Sequence, residues 1–432
     1  MSNQGDRKII LGIAGLGTVG AGVVKIVEKH KALLAARAGC PIEIGAVSAR
    51  DRSRDRGVDL SPYNWVDNPV DLASGGVNVV VELIGGSDGP ALALAREALG
   101  KGIGFVTANK ALIATHGKEL AALAEKTGAP LKFEAAVAGG IPIIKALREG
   151  LAGNAISSVR GILNGTCNYI LTRMEREGLA FDEVLKDAQA LGYAEADPTF
   201  DIDGIDTAHK TAILAALAFG TEPDIENLPT EGIRNIAPVD IEYAKELGYR
   251  IKLLGVTQQT EEGIETRVHP AMVPTRSAIA NVMDATNAVV VDGDAVGQTV
   301  YEGAGAGEGP TASAVLGDIV DVARGANGPR LGVPAEKLKA SSPVPVAKHR
   351  GTYYIRLRVD DRPGVMADIT AVLAEENVSI ESMLQRGQAA DGGVYIVLTT
   401  HETVEASVAA TLDRFTKLEC VLETPTMLRI EA

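Results

Sequence analysis

The sequence predicts an α/β protein in three parts: a parallel-sheet domain, an α+β domain and a small C-terminal βαββαβ module. A glycine-rich turn joins an apolar strand to a helix close to the N-terminus. Long alternating strands occupy the middle of the chain, and two strand–helix–strand patterns with short polar turns occupy its end. The length of 432 residues fits this division, since domains of ~150 residues are common.

The composition is that of an acidic globular protein. Lys plus Arg number 42 against 56 Asp plus Glu, and the net charge of −14 disfavours nucleic acid and anionic membranes as partners. Cys40, Cys167 and Cys420 are scattered and odd in number, so neither a disulfide framework nor a zinc site is expected. With no export signal and no apolar run of ~18 residues, the sequence predicts a cytoplasmic protein without a membrane span.

The first domain, residues 1–133, opens with a strand over residues 8–14 and a glycine-rich turn. Gly15 allows a tight turn, Gly17 lets the backbone approach a pyrophosphate, and Gly20 allows the next helix to pack closely. Free amides at the start of that helix would hold phosphate charge. The pattern predicts a Rossmann-type dinucleotide site formed by Gly15, Leu16, Gly17, Thr18, Val19 and Gly20.

The end of the second strand, residues 42–47, bears on the choice of cofactor. In NAD-binding proteins this strand usually ends in an acidic residue that binds the ribose hydroxyls, but here Ser48, Ala49 and Arg50 follow. Arg50 favours the 2′-phosphate of NADP, whereas Asp51 keeps NAD open. The alternative is that these arginines belong to a solvated loop without a ligand.

The alternation of strands and helices continues to the end of this domain. Strands are predicted over residues 77–84 and 103–106, and helices over residues 90–99 and 117–126. Ser87 and Lys110 follow the two strands, where the carboxyl ends of parallel strands line a ligand crevice. Lys110 is either a residue near a helix start without a further role or a functional cation, since a cation there opposes the helix dipole.

Residues 191–210 form a segment rich in ionisable side chains, with five carboxylates, a histidine and a lysine before an apolar helix. Asp206 and Lys210 stand one turn apart on one face of the helix predicted from Ile205. Such a pair is most often a solvated ion pair worth ~0.3 kcal/mol. Because the following helix is apolar on nearly every face, we interpret the pair as the edge of a catalytic site that emerges from a core.

The second domain, residues 134–308, contains further recognisable elements. Residues 134–143 join a strand to a helix through small residues whose carbonyls could bind a cation, although the pattern alone indicates only a turn. Strands over residues 249–258, 264–273, 288–291 and 296–302 predict an open, largely antiparallel sheet. A glycine-rich segment then precedes a helix near residues 309–326, which is expected to return to the first domain.

Residues 327–350 are rich in Pro, Ser and Lys and are predicted to be a linker. The last domain, residues 351–432, is predicted to be self-contained. Its strands are expected over residues 353–359, 378–385 and 394–400 and near residues 421–430, with helices over residues 365–377 and 403–415. Turns at residues 361–364 and 391–393 connect these elements.

Five motifs together resemble the homoserine dehydrogenase family: GLGTVG from Gly15, ELIGG from Glu82, TANKAL from Thr107, GILNGTCNYIL from Gly161 and LGYAEADPTFDIDGIDTAHK from Leu191. The segment DRPGVMADITAVLAEENVSIESMLQ is similar to an ACT domain, a module that senses small ligands. The resemblance spans nearly the whole chain, with the motifs in the expected order. It implies NAD(P)-dependent interconversion of L-homoserine and L-aspartate 4-semialdehyde in threonine, methionine and isoleucine biosynthesis.

The resemblance also implies roles for individual residues. Lys210 is implied to be the proton donor and acceptor, Lys110 to lie near nicotinamide and substrate and to share this chemistry, and Glu195 and Asp206 to bind the substrate. Positions close to the cofactor are Ser87, Lys110, Gly192 and Gly307, beside the glycine-rich turn and Arg50. A monovalent cation such as Na+ is implied at the carbonyls of Glu134, Val137, Gly139 and Ile141, with alanine also familiar at the position of Gly139.

The resemblance of the last domain implies threonine as its ligand. Candidate regulatory residues are Asp361, Pro363, Gly364 and Gln385, although a simple pairing domain is the alternative. Sheet edges in this module and in the second domain predict a homo-oligomer, either a homodimer or a homotetramer, because unpaired edges need cover.

Two other functions are compatible with parts of the sequence. Another amino-acid dehydrogenase would be expected to use histidine, yet only His209 lies in the acidic segment, about 100° around the helix from Lys210. A protein that senses cofactor and amino acid without turnover would not need a proton donor. The presence of Glu195, Asp206, Lys110 and Lys210 argues against this second alternative.

Overall fold

The computed structural model describes residues 7–386 and 393–431, which form two compact units. Unit 1 takes in the chain up to Gly165, Asp206–Leu228 and Ala285–Ser341. Unit 2 takes in Thr166–Ile205, Pro229–Asp284 and the chain from Ser342. These units interleave along the chain, whereas the domain ranges predicted from the sequence are consecutive, and those ranges remain predictions.

The described residues contain strands and α-helices in alternation. The strands are β1 (Ile9–Ala14), β2 (Ile42–Ser48), β3 (Asn64–Trp65), β4 (Val79–Glu82), β5 (Gly104–Thr107), β6 (Leu131–Lys132), β7 (Ile156–Ile162), β8 (Tyr249–Thr260), β9 (Gly263–Pro274), β10 (Thr286–Gly293), β11 (Gly297–Ala304), β12 (Arg350–Asp360), β13 (Ile380–Arg386), β14 (Gly393–Thr400), β15 (Thr403–Val404) and β16 (Thr426–Ile430). The helices are α1 (Thr18–Lys29), α2 (Lys31–Ala38), α3 (Pro90–Gly100), α4 (Lys110–Thr127), α5 (Ile143–Lys145), α6 (Gly165–Glu177), α7 (Phe181–Ala190), α8 (Thr199–Ile202), α9 (Ile205–Phe219), α10 (Pro238–Glu246), α11 (Glu308–Arg324), α12 (Val365–Glu375) and α13 (Glu405–Phe415).

Unit 1 is built around a parallel sheet with the strand order β3-β2-β1-β4-β5-β6. Its central strands β1 and β4 are apolar on both faces, as expected of a parallel sheet that helices cover on both sides. The order is that of a doubly wound dinucleotide-binding sheet, so the predicted α/β class is confirmed. At its carboxyl edge Ser48, Ala14, Glu82 and Thr107 lie in register on adjacent strands. The turns that follow these four residues therefore begin side by side along one edge of the sheet.

Two layers of helices cover this sheet. On one face α1 and α11 contribute Val23, Leu316 and Ile319 to a core with β1. On the other face α3 and α4 bury residues such as Leu94 and Leu120. Unit 1 also contains a three-stranded antiparallel sheet, in which β10 pairs with β7 on one side and β11 on the other. The antiparallel pairing predicted for the strands over residues 288–291 and 296–302 is confirmed, as is that of β8 with β9.

Helix α4 differs from its prediction at its start. It begins at Lys110 instead of residue 117, because the Asn109 side chain accepts a hydrogen bond from the Leu112 amide at 3.0 Å and caps the first turn. Gly117 lies buried inside the helix, where the apolar pattern alone placed a start. Lys110 is therefore the first residue of a helix, against the favourable direction of the helix dipole.

Unit 2 contains a mixed sheet in the order β8-β9-β16-β12-β14-β13. The strands β12, β13, β14 and β16 with helices α12 and α13 form the predicted βαββαβ module, with the short β15 added beside β12. The module differs from the expectation that it stands apart, since β16 pairs in parallel with β9 at Arg429 and Ala271. The predicted turn at residues 391–393 lies outside the described residues except for Gly393.

Buried charges join the βαββαβ module to the other elements of unit 2. Asp240 on α10 is fully buried and pairs with Arg356 on β12 at 2.7 Å. On β9, Arg267 donates hydrogen bonds to Glu265 at 2.8 Å and to Glu431, just past β16, at 2.7 Å. His349, in the predicted linker, is buried and lies 2.9 Å from Glu265. This end of the predicted linker is thus part of a core.

His269 on β9 is enclosed by the same group of charges. Its Nδ1 lies 3.1 Å from the Pro270 carbonyl, and its Nε2 accepts a hydrogen bond from Arg267 Nε at 3.1 Å, an arrangement that suits a neutral imidazole. Burial lowers the pKa of His269 from 6.5 to about 4, against the opposing attraction of Glu431. The side chain is therefore uncharged at neutral pH.

Among the described residues, no helix has the length and apolar character needed to cross a membrane. Cys40, Cys167 and Cys420 are outside any disulfide among the described residues, and each is buried.

Candidate active site

The glycine-rich turn after β1 leaves room for a ligand at one glycine and is closed at the other two. A Cβ on Gly15, where φ is +98°, would lie 2.4 Å from the Leu83 carbonyl oxygen. A Cβ on Gly20 would lie 2.1 Å from the Gly15 carbonyl oxygen. Around Gly17, by contrast, no heavy atom lies within 4 Å of a Cβ position, and no side chain caps α1 there. The turn therefore has an open backbone and uncapped amides at a helix start, which fits a pyrophosphate.

The second element that could hold a nucleotide is the loop after β2. Arg50 is exposed at the strand end, while Arg52 and Arg56 lie over the ring of Trp65 at 5.6 and 5.9 Å. Arg56 also donates a hydrogen bond to the Leu16 carbonyl at 2.9 Å, which ties this loop to the glycine-rich turn. Arg56 was missed in the sequence, because nothing in its local pattern indicates that it folds back across 40 residues.

Asp51, which kept NAD open in the sequence, is engaged within its own loop. Its Oδ1 accepts hydrogen bonds from the Ser53 amide at 2.8 Å and from the Ser53 hydroxyl at 2.7 Å. These bonds hold the pKa of Asp51 below its usual value. The carboxylate is committed to a local turn, whereas positive side chains surround the strand end.

Helix α11 begins beside α1. A Cβ on Gly22 of α1 would lie 2.6 Å from Glu308 Cγ, so the first residue of α11 approaches α1 at this glycine. Gly307 precedes it with a φ of +119°, a conformation that favours glycine. Two helix starts thus meet in unit 1, and Gly307 lies at the second of them. Ser87, in the turn after β4, donates its hydroxyl to Asp88 at 2.7 Å.

The central charged group of unit 1 consists of Lys110, Asp206 and Lys210. Lys110 Nζ lies 2.7 Å from Asp206 Oδ1, and Lys210 Nζ lies 2.7 Å from Asp206 Oδ2. The Asp206 side chain is 5% exposed, that of Lys210 11%, and that of Lys110 31%. The pair formed by Asp206 and Lys210 is therefore buried, unlike the solvated pair that this spacing on a helix most often forms. One carboxylate holds two ammonium groups, one of them buried and the other open on one side.

Backbone and amide groups complete the surroundings of Asp206. Lys210 Nζ also donates to the Leu163 carbonyl at 2.7 Å, and Asn164 Nδ2 donates to Asp206 Oδ2 at 2.9 Å. Burial raises the pKa of Asp206, but the charges of Lys210 and Lys110 outweigh burial and hold the pKa well below its usual range. Asp206 is therefore ionised at working pH and fixes both lysines. Such paired lysines can stabilise and protonate a negative charge that develops on a carbonyl oxygen.

Gly192 and Glu195 belong to unit 2, in the segment that follows α7. Gly192 has a φ of +78°, and Glu195 has an exposed side chain, with its carbonyl accepting a hydrogen bond from Gln189 at 3.0 Å. The structure brings Lys110, Asp206 and Lys210 together in unit 1. The roles of Glu195 and Gly192 remain predictions.

The turn proposed to bind a cation has an unusual backbone. Ala138 and Gly139 are both left-handed, with φ of 54° and 46°, and the Gly140 amide donates to the Ala304 carbonyl at 2.9 Å. A Cβ on Gly139 would lie 2.4 Å from the Gly305 carbonyl oxygen, so alanine does not fit here without a backbone shift. This differs from the expectation that either residue is tolerated. Val137 and Ile141 flank the turn and are buried.

Glu134 anchors this turn through its buried carboxylate. Its oxygens accept hydrogen bonds from the Ile144 and Lys145 amides at 2.8 and 2.9 Å, and its own amide donates to Asp318 Oδ2 at 2.8 Å. Burial and the charge of Asp318 raise the pKa of Glu134 to about 7, and burial raises that of Asp318 to about 6. The side chain is used for structure, so a cation would be held by carbonyl oxygens, donors that suit a hard ion. No cluster of three or more His, Cys, Asp or Glu that could hold a metal ion is found in the described residues.

The four candidate regulatory residues lie in unit 2. Asp361, Pro363, Gly364 and Gln385 line one cavity of about 340 Å³, together with residues that include Arg362 and Ile396. Gly364 is the N-cap of α12, with a φ of 96° and no side-chain cap. The cavity therefore combines carboxylates, a guanidinium and uncapped helix amides, which suits a small zwitterion.

Comparison with known proteins assigns the family. Residues 15–134 match the NAD-binding domain of homoserine dehydrogenase, residues 142–320 match homoserine dehydrogenase itself, and residues 353–420 match the ACT domain. The homoserine dehydrogenase of Neisseria gonorrhoeae is 46% identical, with 99% of each chain covered. The chain belongs to the homoserine dehydrogenase family. Like other homoserine dehydrogenases it is an oxidoreductase, and the family resemblance found in its motifs is confirmed.

Solved homoserine dehydrogenase structures agree with this assignment. The crystal structure of the Thiobacillus denitrificans enzyme has a TM-score of 0.93 and 46% identity, with 98% of each chain covered. A hyperthermophilic archaeal homoserine dehydrogenase in complex with NADPH has a TM-score of 0.63 and 28% identity, covering 73% of this chain and 97% of that one. The homoserine dehydrogenase of Pseudomonas aeruginosa is 44% identical over 98% of this chain.

Proposed function

We propose that this homoserine dehydrogenase interconverts L-homoserine and L-aspartate 4-semialdehyde through the Lys110–Asp206–Lys210 group. The observation that carries the proposal is a buried aspartate shared by two lysines, each at 2.7 Å, in the unit that contains the dinucleotide turn. Reduction of an aldehyde places negative charge on its oxygen, and ammonium groups held in a buried site stabilise that charge. The reaction would serve threonine, methionine and isoleucine biosynthesis.

In the proposed mechanism Lys210 gives a proton to the aldehyde oxygen and takes it back in the reverse direction. Asp206 and the Leu163 carbonyl fix the Lys210 ammonium, so little reorganisation is needed when charge develops. Lys110 supplies a second positive charge from the more open side. Glu195 is proposed to bind the substrate ammonium from its exposed position. The nicotinamide cofactor, when bound, supplies or accepts the hydride.

The direct test is NADPH oxidation in the presence of L-aspartate 4-semialdehyde, followed by absorbance. We expect oxidation that depends on the semialdehyde, and NADP reduction when L-homoserine is supplied instead. Turnover on the order of 10 s⁻¹ would be ordinary for an enzyme. A native chain that binds NADPH tightly but neither oxidises it with the semialdehyde nor reduces NADP with L-homoserine would contradict the proposal and favour a sensing protein.

We propose NADP as the preferred cofactor, bound by the glycine-rich turn with Arg50 at the 2′-phosphate. The commitment of Asp51 to Ser53 and the positive side chains around the strand end support this choice. Ser87, Lys110, Gly192 and Gly307 are proposed to lie along the rest of the cofactor. The uncapped start of α1 would hold the pyrophosphate.

Replacing Arg50 with alanine is expected to lower kcat/KM for NADPH by about 10-fold and that for NADH by less than about 2-fold, because only NADPH carries the phosphate that the guanidinium pairs with. Steady-state kinetics with both cofactors measure the two ratios. Arg54→Ala, an exposed arginine in the same loop, is the matched control and should change neither. An equal fall for both cofactors would show that Arg50 does not read the phosphate.

We propose that a monovalent cation such as Na+ binds the carbonyl oxygens of Glu134, Val137, Gly139 and Ile141. The tight turn, with two consecutive left-handed residues, supports this site because its backbone carbonyls are oxygen donors of the kind that a hard cation takes. The ion would stiffen a turn that also contacts the loop at Gly305.

A homodimer or homotetramer is proposed as the assembly, since β11 is an edge strand of its sheet and exposes Val300.

We propose that the ACT module binds threonine in the cavity at α12 and that threonine inhibits the enzyme. The uncapped amides at Gly364 and the Arg362 guanidinium would hold the carboxylate of an amino acid. Asp361 would hold its ammonium. The size of the cavity, about 340 Å³, is consistent with a small ligand.

Replacing Asp361 with alanine is expected to weaken threonine inhibition by about 10-fold while kcat and KM stay unchanged, since a charge pair with the effector is lost outside the reacting site. Inhibition curves for the native chain and the variant measure this change. Asp368→Ala replaces an exposed carboxylate on α12 that does not line the cavity, and should leave inhibition unaltered. If threonine does not inhibit the native enzyme, threonine is not the effector. If both variants lose inhibition equally, the cavity at α12 is not the threonine site.

A further inference from the structure

A buried hydrogen-bond network joins the ends of β4 and β5 and leads to the residue before Lys110. We infer that Glu82, Thr107 and Asn109 are positioning residues, which fix the start of α4 and so place the Lys110 ammonium against Asp206. The inference rests on the proposed function, because it takes Lys110 as part of the reacting site. It explains why Glu82, Thr107 and Asn109 occupy their positions in the two motifs that begin at Glu82 and Thr107.

Glu82 is the fully buried last residue of β4. Its Oε1 accepts hydrogen bonds from the Ile84 and Gly85 amides at 2.7 and 3.1 Å, and its Oε2 accepts one from the Thr107 hydroxyl at 2.6 Å. A buried carboxylate is unfavourable unless its oxygens are bonded in this way, and an apolar side chain would fill the space more simply. Glu82 therefore has a use besides packing, and that use is to hold two turns.

Thr107 and Asn109 carry the connection from Glu82 to the helix. The Thr107 hydroxyl donates to Glu82 and accepts from the Asn109 amide at 2.9 Å. The Asn109 side chain caps α4 by accepting from the Leu112 amide at 3.0 Å, and its Nδ2 donates to the Gly86 carbonyl at 2.7 Å. The turns after β4 and β5 are thus tied together at two points. Because Glu82 and Thr107 are also in register on adjacent strands, the sheet edge itself fixes the network.

Lys110 is the first helical residue after this cap. Its long side chain is 31% exposed and reaches Asp206 Oδ1 at 2.7 Å, so the position of its ammonium follows from where its backbone begins. The helix dipole opposes a cation at this place, and a loosely held lysine would turn towards water. A network that determines the backbone from both neighbouring turns prevents this. Small displacements of a reacting group reduce rates strongly, so the effect of losing the network should appear in turnover.

The test compares two substitutions of Thr107 in the native chain and in the Lys110→Ala background. Thr107→Val keeps the shape but removes the hydroxyl, and is expected to lower kcat by about 10- to 100-fold. Thr107→Ser keeps the hydroxyl and should stay within about 3-fold of native. In the Lys110→Ala background Thr107→Val should lower kcat by less than about 3-fold more, because its effect passes through the missing lysine. A role in stability alone would lower kcat equally in both backgrounds.

Glu82→Gln is the second variant and should show the same dependence on Lys110, so the test does not rely on one protein folding. Glu125→Gln is its matched control, since Glu125 also accepts two backbone amides, from Arg330 and Ala335, but near the far end of α4. It should keep native turnover. Equal losses in both backgrounds, or an equal loss with Thr107→Ser, would overturn the inference alone. A native chain without turnover would overturn the proposed function and this inference with it.

Discussion

Replacing Lys210 with alanine is expected to lower turnover by about 10³-fold, because the buried ammonium that stabilises and protonates the developing oxyanion is lost. Lys210 is fixed by Asp206 and by the Leu163 carbonyl, both at 2.7 Å, so no neighbouring group can take its place without moving. NADPH affinity should change by less than about 3-fold, since Lys210 is not among the residues proposed to bind the cofactor. Steady-state kinetics and a fluorescence titration of NADPH measure the two quantities.

The same measurements on Lys110→Ala separate the two lysines. Lys110 is the more exposed of the two, and we expect a smaller loss of turnover, about 10²-fold, because water can partly replace its ammonium group in stabilising the oxyanion. Lys118→Ala is a control on the same helix, where a lysine also pairs with a carboxylate, Glu222, but on the surface. It should retain native turnover. If Lys210→Ala keeps more activity than Lys110→Ala, then Lys110 carries the proton and the proposed roles are reversed.

Acidification from pH 7 to pH 4 is expected to destabilise unit 2 through His269. Its pKa falls from 6.5 to about 4 on folding, so the unfolded chain binds a proton in this interval that the folded chain does not. The stability that depends on the neutral imidazole is complete above pH 6.5 and is lost as pH falls towards 4. At about 1.4 kcal/mol for each pKa unit, the loss amounts to about 3 kcal/mol.

Urea unfolding of the native chain and of His269→Gln, followed by circular dichroism across this pH range, measures the effect. Glutamine can still accept from Arg267 but does not titrate, so the difference in free energy of unfolding between the two proteins isolates the imidazole. We expect that difference to change by about 3 kcal/mol between pH 7 and pH 4. His401→Gln, an exposed histidine of the same unit, should give parallel curves. Parallel curves for His269→Gln as well would mean that folding does not lower the pKa of His269.

Local sequence was enough to predict strands β1, β2, β4 and β5 of the nucleotide sheet and the βαββαβ order of the last module, but not the two-residue strands β3, β6 and β15. Strand β1, the glycine-rich turn and α1 each have a short-range signal, and so does the face of α9 that carries Asp206 and Lys210. The start of α4 has a local signal too, since Asn109 stands in an N-cap position, but the apolar pattern from residue 117 onwards predicts a later start.

The partners of Asp206 could be predicted only in part. The i,i+4 spacing to Lys210 is visible in the sequence, and the family resemblance adds Lys110. Asn164 lies 42 residues before Asp206, and Leu163, whose carbonyl accepts from Lys210, lies 47 residues before Lys210; no periodicity specifies such contacts. The same holds for Glu82, which as a charged residue at the end of an apolar strand gave no hint that it would be buried.

Two basic residues of the predicted linker, residues 327–350, are buried. Arg330 is 4% exposed in unit 1, where its guanidinium donates to the Ala129 carbonyl at 2.7 Å. His349 is buried in unit 2. Composition rich in Pro, Ser and Lys predicts a linker on average, but it cannot reveal that single residues of a connecting segment fill gaps in two cores.

The parallel pairing of β16 with β9 makes the sensing module difficult to remove. A shortened enzyme that ended before the module would present β9 as an open edge, with unpaired amides and carbonyls and the apolar side chains of Ala271 and Met272 uncovered. Arg267 would also lose Glu431. Deletion of the ACT module should therefore yield an aggregation-prone, poorly folded protein. The proposed inhibition by threonine is better removed by point substitutions in the cavity at α12 than by truncation.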